Sequence, residues 1–282
     1  MKSDGAVLAT IGDTPLVELK NLDTGCCRLF VKLENQNPTG SIKDRIGLSM
    51  IEAAERSGEL QPGGALIEAT AGNTGLGLAL VAAQKGYKLT LVIPDKMAQE
   101  KVLHLKALGA RVIITRSDVG KGHPEYYQDV AERLARESGA FYVNQFANPA
   151  NPAAHEATTG PEIWSQTKQM LDAVVVGVGS GGTLTGLSRY FARVAPHVEM
   201  VLADPKGSIL VDVVKTGAHK RSQEAGWWKE SEKTSFLRSV ICRASVLRMK
   251  SAMQRALRLR ASCWPRKDSW VVLRREHWSL RR

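Results

Sequence analysis

The sequence predicts an α/β protein of two domains, each with a mostly parallel sheet flanked by helices. Short apolar runs alternate with helical patterns from residue 65 to about residue 203, and several of the helices end at a glycine such as Gly86 or Gly109. The alternation is interrupted by the Pro- and Asn-rich stretch Asn148 to Pro152, where we expect the chain to cross between domains. Such alternation is typical of parallel sheets whose two faces are both covered.

The individual elements follow from the spacing of apolar residues. Short apolar runs predict buried strands at Ala65–Ala69, Leu89–Ile93, Arg111–Thr115, Phe141–Val143, Ala173–Val178 and Glu199–Ala203. Longer stretches with helical spacing predict helices at Leu76–Lys85, Ala98–Leu108, Glu125–Glu137, Glu156–Lys168 and Leu184–Val194.

Charge divides the chain into two parts. Residues 1–220 carry equal numbers of basic and acidic side chains, so the net charge of +11 lies entirely in the last 62 residues. The same tail holds five of the six tryptophans and only one of the 25 glycines. The part with the strand and helix pattern is therefore not predicted to bind nucleic acid. No stretch is apolar enough to span a bilayer, and we expect a cytoplasmic protein without membrane contact.

A lysine is predicted at the start of a helix in the stretch Asn37 to Arg45. Pro38 and Gly40 prevent a helix before it, Ser41 can cap the next one, and apolar residues at helical spacing continue that helix. Lys43 then lies in the first turn, where the helix dipole disfavours an ammonium and favours the neutral amine that forms a Schiff base. Taken alone, Lys43 is better explained as a solvated lysine at a helix start.

A glycine-rich turn follows the strand Ala173–Val178 and comprises Gly179, Ser180, Gly181, Gly182 and Thr183. Glycines allow several backbone amides to face one point, the following helix adds its positive end, and the threonine offers a hydroxyl. Such a turn suits a phosphate dianion. The lysine of a P-loop and the spacing of a dinucleotide-binding motif are both missing, so a nucleotide is not required.

A second loop, Thr70-Ala71-Gly72-Asn73-Thr74-Gly75, follows the first strand and precedes a helix. Its amides, hydroxyls and one carboxamide suit a carboxylate or another small anion. A lysine able to form a Schiff base, a phosphate loop and a carboxylate loop together predict pyridoxal 5′-phosphate holding an amino acid. No metal site is predicted, because His104, His123 and His155 lack ligand spacing.

Four strings carry a resemblance to a known family: N-P-T-G-S-I-K-D-R, E-A-T-A-G-N-T-G, N-Q-F-A-N-P-A-N-P and G-S-G-G-T. In this order and spacing they are similar to those of cysteine synthase and cystathionine β-synthase, which are fold-type II pyridoxal-phosphate enzymes with a tryptophan synthase β-like fold. The resemblance extends from about Ile11 to Leu210. One departure is Ala71, where many members have serine.

The resemblance implies roles for particular residues. Lys43 would carry the cofactor as a Schiff base, and Asn73 would meet the hydroxyl of the cofactor ring. The turn from Gly179 to Thr183 would bind the phosphate. The substrate carboxylate would be held by Thr70, Ala71, Gly72, Asn73, Thr74 and Gln145.

The reaction implied is β-replacement, in which Lys43 acts as anchor and general base and a sulfur nucleophile replaces the β-substituent of an amino acid. Cysteine synthase is the first expectation and cystathionine β-synthase the alternative, because Ala203 to Leu210 looks more like the second enzyme. The family usually forms homodimers. Residues 1–44 and 150–226 would form an incomplete larger cofactor domain, and residues 45–149 a smaller mobile domain.

The tail 227–282 permits two interpretations. Degenerate codons for Trp228 to Arg238 and for Ser262 to Leu280, read from the third base, permit strings like those of the family, so we predict a reading-frame slip near Gly226. A slip would make residues 227–282 a non-native, poorly ordered tail, and the alternative to an enzyme would then be an inactive, frame-shifted product. Read at face value, apolar residues from Leu247 to Leu259 interleave with arginines in a basic helix that could bind nucleic acid or an anionic membrane surface.

Overall fold

The computed structural model describes residues 7–21, 27–70, 72–203 and 269–275, the last range as backbone only. The helices are α1 Lys43–Ser57, α2 Asn73–Lys85, α3 Gln99–Ala107, α4 Tyr127–Ser138, α5 Ala150–Ala154, α6 Gly160–Gln166 and α7 Gly182–Val194. The strands are β1 Leu16–Glu18, β2 Cys27–Leu33, β3 Ala65–Ala69, β4 Lys88–Pro94, β5 Arg111–Thr115, β6 Phe141–Tyr142, β7 Ala173–Gly177, β8 Glu199–Ala203 and β9 Ser269–Arg275. A π-helical turn covers His155–Thr159, immediately before α6.

The described residues form two compact units. One unit takes in the described residues among 1–12 and 36–154, and the other those among 13–35 and 155–282. The bounds of the larger and the smaller domain expected from the sequence stay a prediction. In the described part, no helix is both long and apolar enough to cross a membrane.

The first unit is built on a parallel sheet with strand order β5-β4-β3-β6. Leu66, Leu91 and Ile93 pack on one face against residues of α1 and α2. On the other face, residues of β3 and β4 pack against Val130 and Ala131 of α4. Because β3 and β4 are covered on both sides, their sequences are nearly continuous apolar runs, and this is why they could be predicted.

The second unit contains a mixed sheet with strand order β1-β2-β9-β7-β8. Strands β7 and β8 pair in parallel, as expected for strands separated by a helix, whereas β1, β2 and β9 join by antiparallel pairs. A small core of Leu29, Ala173, Val175 and Val201 lies on this sheet. The α/β fold with sheets and flanking helices is thus confirmed, and the antiparallel strands of this sheet were not among the predicted strands.

A buried lysine ties β2 to α6 in the second unit. The ammonium of Lys32 has no solvent exposure and donates to a carboxylate oxygen of Glu162 at 2.6 Å and to the amide oxygen of Gln166 at 2.9 Å. A third bond, of 2.6 Å, reaches the carbonyl oxygen of Thr14. A buried charge needs such partners to offset its lost hydration. The contacts hold α6 against the sheet that also carries β7.

In two predicted segments the type of element differs from the prediction. The stretch Asn148 to Pro152, predicted as a connection, overlaps helix α5, because prolines are tolerated in the first turn of a helix. The predicted helix Glu156–Lys168 is a π-helical turn followed by α6, which ends at Gln166.

Both hypotheses about the tail concern residues that, apart from β9, lie outside the described residues. The seven residues of β9 pair antiparallel with β2 and β7. The frame slip and the basic helix stay predictions, which the coding nucleotides would decide. The segment Ala203 to Leu210 likewise lies outside the described residues beyond Ala203.

Candidate functional site

The predicted site residues are divided between the two units. Lys43, the loop from Thr70 to Thr74, and Gln145 belong to the first unit, and the glycine turn Gly179 to Thr183 belongs to the second. Ala71 lies outside the described residues.

Lys43 is the first residue of α1 and is half-buried. The loop before it is fixed by Asp44, whose carboxylate accepts from the amide of Thr39 at 2.7 Å and from the hydroxyl of the same threonine. The hydroxyl of Ser41 accepts from the amide of Lys43 at 3.1 Å, while the N-cap position itself is occupied by Ile42. The predicted placement of Lys43 in the first turn is therefore confirmed, and Ser41 contacts the helix start from one residue further upstream.

The backbone of Lys43 lies directly against α2. A methyl group added at Gly77 would lie 2.6 Å from the carbonyl oxygen of Lys43, and one added at Gly47 would lie 2.8 Å from the carbonyl carbon of Gly77. Two helices approach this closely only where neither has a side chain at the crossing. The two glycines thus allow the backbone of Lys43 to lie directly against α2.

The loop after β3 closes on itself before α2. The amide of Thr70 donates to the carbonyl oxygen of Val92 at 3.1 Å, and the hydroxyl of Thr70 accepts from the amide of Gly72 at 3.2 Å. Asn73 begins α2, and its side-chain oxygen lies 3.5 Å from the ammonium of Lys101. The helix start and its cationic neighbour favour an anion at this place.

Gln145 is joined to this loop by a chain of buried hydrogen bonds. The hydroxyl of Thr74 donates to Oε1 of Gln145 at 2.7 Å, and Nε2 of Gln145 donates to Oε1 of Glu68 at 3.1 Å. The carbonyl oxygen of Gln145 accepts from the side chain of Asn151 at 2.8 Å. The structure therefore brings together Thr74 and Gln145, two of the residues predicted to hold the substrate carboxylate, and adds Glu68, to which the sequence had given no role.

Burial raises the pKa of Glu68 to about 8, and hydrogen bonds from Gln145 and from the backbone of Asn144 lower it only in part. The carboxyl group is 1 % exposed. Its Oε2 has no hydrogen-bond partner within the described part of the chain. A neutral carboxyl with its proton on Oε2 fits these surroundings, because the donors then approach the other oxygen.

This pKa predicts how stability depends on pH. Between pH 4.5 and about 8 the folded chain keeps a proton on Glu68 that the unfolded chain releases. Stability is therefore lost as the pH rises through this window, by at most about 1.4 kcal/mol per pH unit. We expect the melting temperature of Glu68→Gln, whose side chain stays neutral, to fall less between about pH 5.5 and pH 8 than that of the unmodified chain. Thermal melts of both proteins in the same buffers measure this, and equal losses would contradict it.

The glycine turn of the second unit follows β7 and opens α7. Gly181 adopts the left-handed conformation, with φ of +89°, immediately before the first residue of the helix. A methyl group added at Gly179 would meet no atom of the described residues within 4 Å. No acidic side chain lies in the first turn of α7. The donor set, backbone amides at a helix N-terminus and a hydroxyl, fits a phosphate dianion.

Thr183 is held from the π-helical turn by a histidine that the sequence had given no role. Nε2 of His155 lies 3.2 Å from the hydroxyl of Thr183, and Nδ1 lies 3.0 Å from the hydroxyl of Thr159. His155 is 1 % exposed and Thr183 is 7 % exposed. If Nε2 of His155 carries the proton, it donates to the hydroxyl oxygen of Thr183, and the hydroxyl can then donate its own proton to another acceptor. No spacing rule in the sequence pointed to this contact.

The family model described as pyridoxal-phosphate dependent enzyme matches residues 7–252. The chain belongs to the pyridoxal-phosphate dependent enzymes. The cofactor predicted from the sequence is that of the family, and the resemblance to the cysteine synthase and cystathionine β-synthase group is confirmed.

The chain is similar to enzymes of both names. It is 43 % identical over 208 residues to a cystathionine beta-synthase of Apis mellifera, covering 72 % of this chain and 41 % of that protein. It is 46 % identical over 213 residues to a cysteine synthase of Staphylococcus aureus, covering 74 % of this chain and 67 % of that protein. The crystal structure of O-ureido-L-serine synthase matches with a TM-score of 0.73 at 33 % identity, covering 90 % of this chain and 79 % of that one. The match to the Apis mellifera protein thus spans less than half of that protein's length.

Proposed function

We propose that the chain catalyses β-replacement, forming L-cysteine from O-acetylserine or serine and sulfide. The proposal is supported most strongly by the contacts of α2, which packs against both Lys43 and Gln145 in the first unit. Its Gly77 packs against the backbone of Lys43, and its Thr74 bonds to Gln145. One helix thus positions both an amine and the carboxamide of Gln145, whose second N–H is a donor for a carboxylate, and these are groups that an amino-acid substrate requires.

In this proposal each side chain has a separate task. Nζ of Lys43 anchors the cofactor and, once released by the substrate, accepts the proton of the substrate α-carbon. Thr70, Gly72, Asn73, Thr74 and Gln145 bind the substrate carboxylate, and Asn73 also meets the ring hydroxyl of the cofactor. The turn Gly179 to Thr183 binds the phosphate. Pyridoxal phosphate, when bound, supplies the electron sink that makes the α-proton acidic.

The second candidate is condensation of serine with homocysteine. It is supported by the similarity to the cystathionine beta-synthase of Apis mellifera and by the sequence from Ala203 to Leu210. Both candidates use the same Lys43 and the same carboxylate loop. They differ only in the nucleophile, so the described residues do not favour one of them.

Product analysis tests both candidates. The purified chain is saturated with pyridoxal phosphate, supplied with O-acetylserine or serine, and given either sulfide or homocysteine. Cysteine formed with sulfide supports the first candidate, and cystathionine formed with homocysteine supports the second. No amino-acid product with either nucleophile contradicts the proposed function.

We expect Thr183→Val to weaken cofactor binding. The substitution keeps the shape of the side chain and removes the hydroxyl that is proposed to bind the phosphate. Hydrogen bonds to charged groups contribute roughly 1.5–3 kcal/mol, so the dissociation constant should rise by about tenfold or more. Absorbance of the bound cofactor after equilibrium dialysis measures it.

Ser188→Ala is the matched control for Thr183→Val. Ser188 lies on the same helix, and its hydroxyl has no hydrogen-bond partner among the described residues. This variant should bind the cofactor as tightly as the unmodified chain. If Thr183→Val bound the cofactor as tightly as the unmodified chain, the Thr183 hydroxyl would not be a ligand of the phosphate.

We also propose that the chain forms a homodimer and works in the cytoplasm, as the family resemblance leads us to expect. Light scattering of the cofactor-loaded protein would test the dimer. A single species of one chain, about half the expected mass, would contradict it.

A further inference from the structure

The first unit contains a line of three buried polar side chains, Thr74, Gln145 and Glu68. Their exposed fractions are 3 %, 5 % and 1 %. The two hydrogen bonds that link them measure 2.7 Å from Thr74 to Gln145 and 3.1 Å from Gln145 to Glu68. Glu68 lies on β3 opposite Leu91 of β4, and its neighbour Leu66 on the same face belongs to the apolar core. Burying a carboxyl group among apolar core residues costs free energy, so Glu68 is expected to have a function that offsets this cost.

The bonds to Thr74 and Glu68 use two of the four hydrogen-bonding positions of the Gln145 carboxamide, one acceptor lone pair and one N–H. Oε1 accepts from Thr74, and one N–H of Nε2 donates to Glu68. The second N–H of Nε2 is the remaining donor of the group. It is available for a substrate carboxylate only while the carboxamide keeps this orientation.

Thr74 cannot fix that orientation alone, because a hydroxyl can donate to Oε1 or accept from Nε2. Glu68 can fix it while its proton lies on Oε2, because Oε1 is then an acceptor. If the carboxamide turned over with the proton still on Oε2, two acceptor oxygens would face each other in a buried site, where an unmade hydrogen bond is costly. The main chain of Gln145 is held separately through Asn151, so loss of Glu68 would free the carboxamide and leave the backbone in place.

We propose that Glu68 is a positioning residue that sets the orientation of the Gln145 carboxamide for binding the carboxylate of the amino-acid substrate. The inference rests on the proposed function, since it presupposes that Gln145 binds substrate. Glu68 does not touch the substrate and acts through Gln145. It therefore affects recognition of the carboxylate and leaves recognition of the amine unchanged.

Two unreactive ligands separate these effects. L-Alanine has an amine and a carboxylate but no leaving group, whereas ethylamine is the same molecule without the carboxylate. The ratio of their dissociation constants measures the carboxylate contribution. It is obtained by titrating the cofactor-loaded protein and recording the visible absorbance at equilibrium, without turnover.

In Glu68→Leu the preference for alanine over ethylamine should fall by about tenfold, the usual value of one lost hydrogen bond to a charged group. Glu68→Gln should restore the preference to within about twofold, because a carboxamide oxygen can still accept from Gln145. Ile67→Ala is the matched control for loss of packing on the same strand, since Ile67 lies in the core on the opposite face. It should leave the preference unchanged.

An unchanged preference in folded, cofactor-loaded Glu68→Leu overturns the proposal. If that variant does not fold, Glu68→Met replaces it, because its unbranched side chain is closer in shape to glutamate. Failure of both to fold would also count against the proposal, as it would show that the residue serves the core. If the unmodified chain binds the cofactor but neither ligand, the proposed function fails; if it binds alanine normally and Glu68→Leu does too, only this inference fails.

Discussion

Replacement of Lys43 by alanine is expected to reduce β-replacement activity by at least about 10³-fold. Lys43 begins α1 and is half-buried. The substitution removes both the anchor of the cofactor and the base that takes the α-proton. Lys43→Arg should be equally inactive, because a guanidinium stays protonated and cannot act as a nucleophile or base. The rate of cysteine formation with saturating cofactor, O-acetylserine and sulfide measures the effect.

Lys106→Ala is the control for loss of a lysine. Lys106 is exposed on α3 and has no assigned role. Its activity should equal that of the unmodified chain. More than about a tenth of the activity remaining in Lys43→Ala would exclude Lys43 as the general base, since such a group contributes about 10²–10⁴-fold.

Gly77→Ala is expected to have the second largest effect. The added methyl group would lie 2.6 Å from the carbonyl oxygen of Lys43, and both groups that meet there belong to helix backbones. Helices α1 and α2 must separate, at a cost of about 1–3 kcal/mol that exceeds the helix preference of alanine. Because a displacement of about 1 Å can reduce catalysis by about 10²-fold, turnover should fall by that order.

The measurement for Gly77→Ala combines urea unfolding with steady-state rates. Gly47→Ala introduces the reciprocal contact, 2.8 Å from the carbonyl carbon of Gly77. It should lower stability and turnover in the same way as Gly77→Ala. Ala83→Gly, on an exposed part of α2, should lose about 1 kcal/mol of stability without loss of turnover. Wild-type rates in a folded Gly77→Ala would show that the crossing does not position Lys43.

The elements of the first unit could be predicted because their apolar patterns are strong. Strands β3 and β5 have the predicted bounds, and helix α2 begins three residues earlier than predicted, at Asn73. That difference places Asn73 and Thr74 inside the first turn of the helix. Glycines and polar residues at a helix start obscure the apolar spacing, so the start of α2 could not be read from periodicity.

The antiparallel strands of the second unit were not predicted, for a different physical reason. Strand β2 contains Arg28 and Lys32, and the lysine is buried only because Glu162 and Gln166 meet it from α6. A single sequence does not contain that information, since the partners are more than a hundred residues away.

The candidate site was predicted where chemistry follows from residue type. Lys43 at a helix start and Gly181 in a left-handed turn follow from local rules. Glu68 and His155 could not be assigned in the same way, because their roles come from contacts with Gln145 and Thr183. A carboxylate within an apolar strand is the one signal that could have marked Glu68 in advance.

The role of Lys43 is tested most simply by locating the covalent attachment of the cofactor. The chain is incubated with pyridoxal phosphate, the link between amine and aldehyde is fixed with borohydride, and the digested peptides are analysed by mass spectrometry. We expect one modified peptide, with the added mass on Lys43, and its loss in Lys43→Ala. Modification spread over surface lysines, or a single site at another lysine, would contradict it.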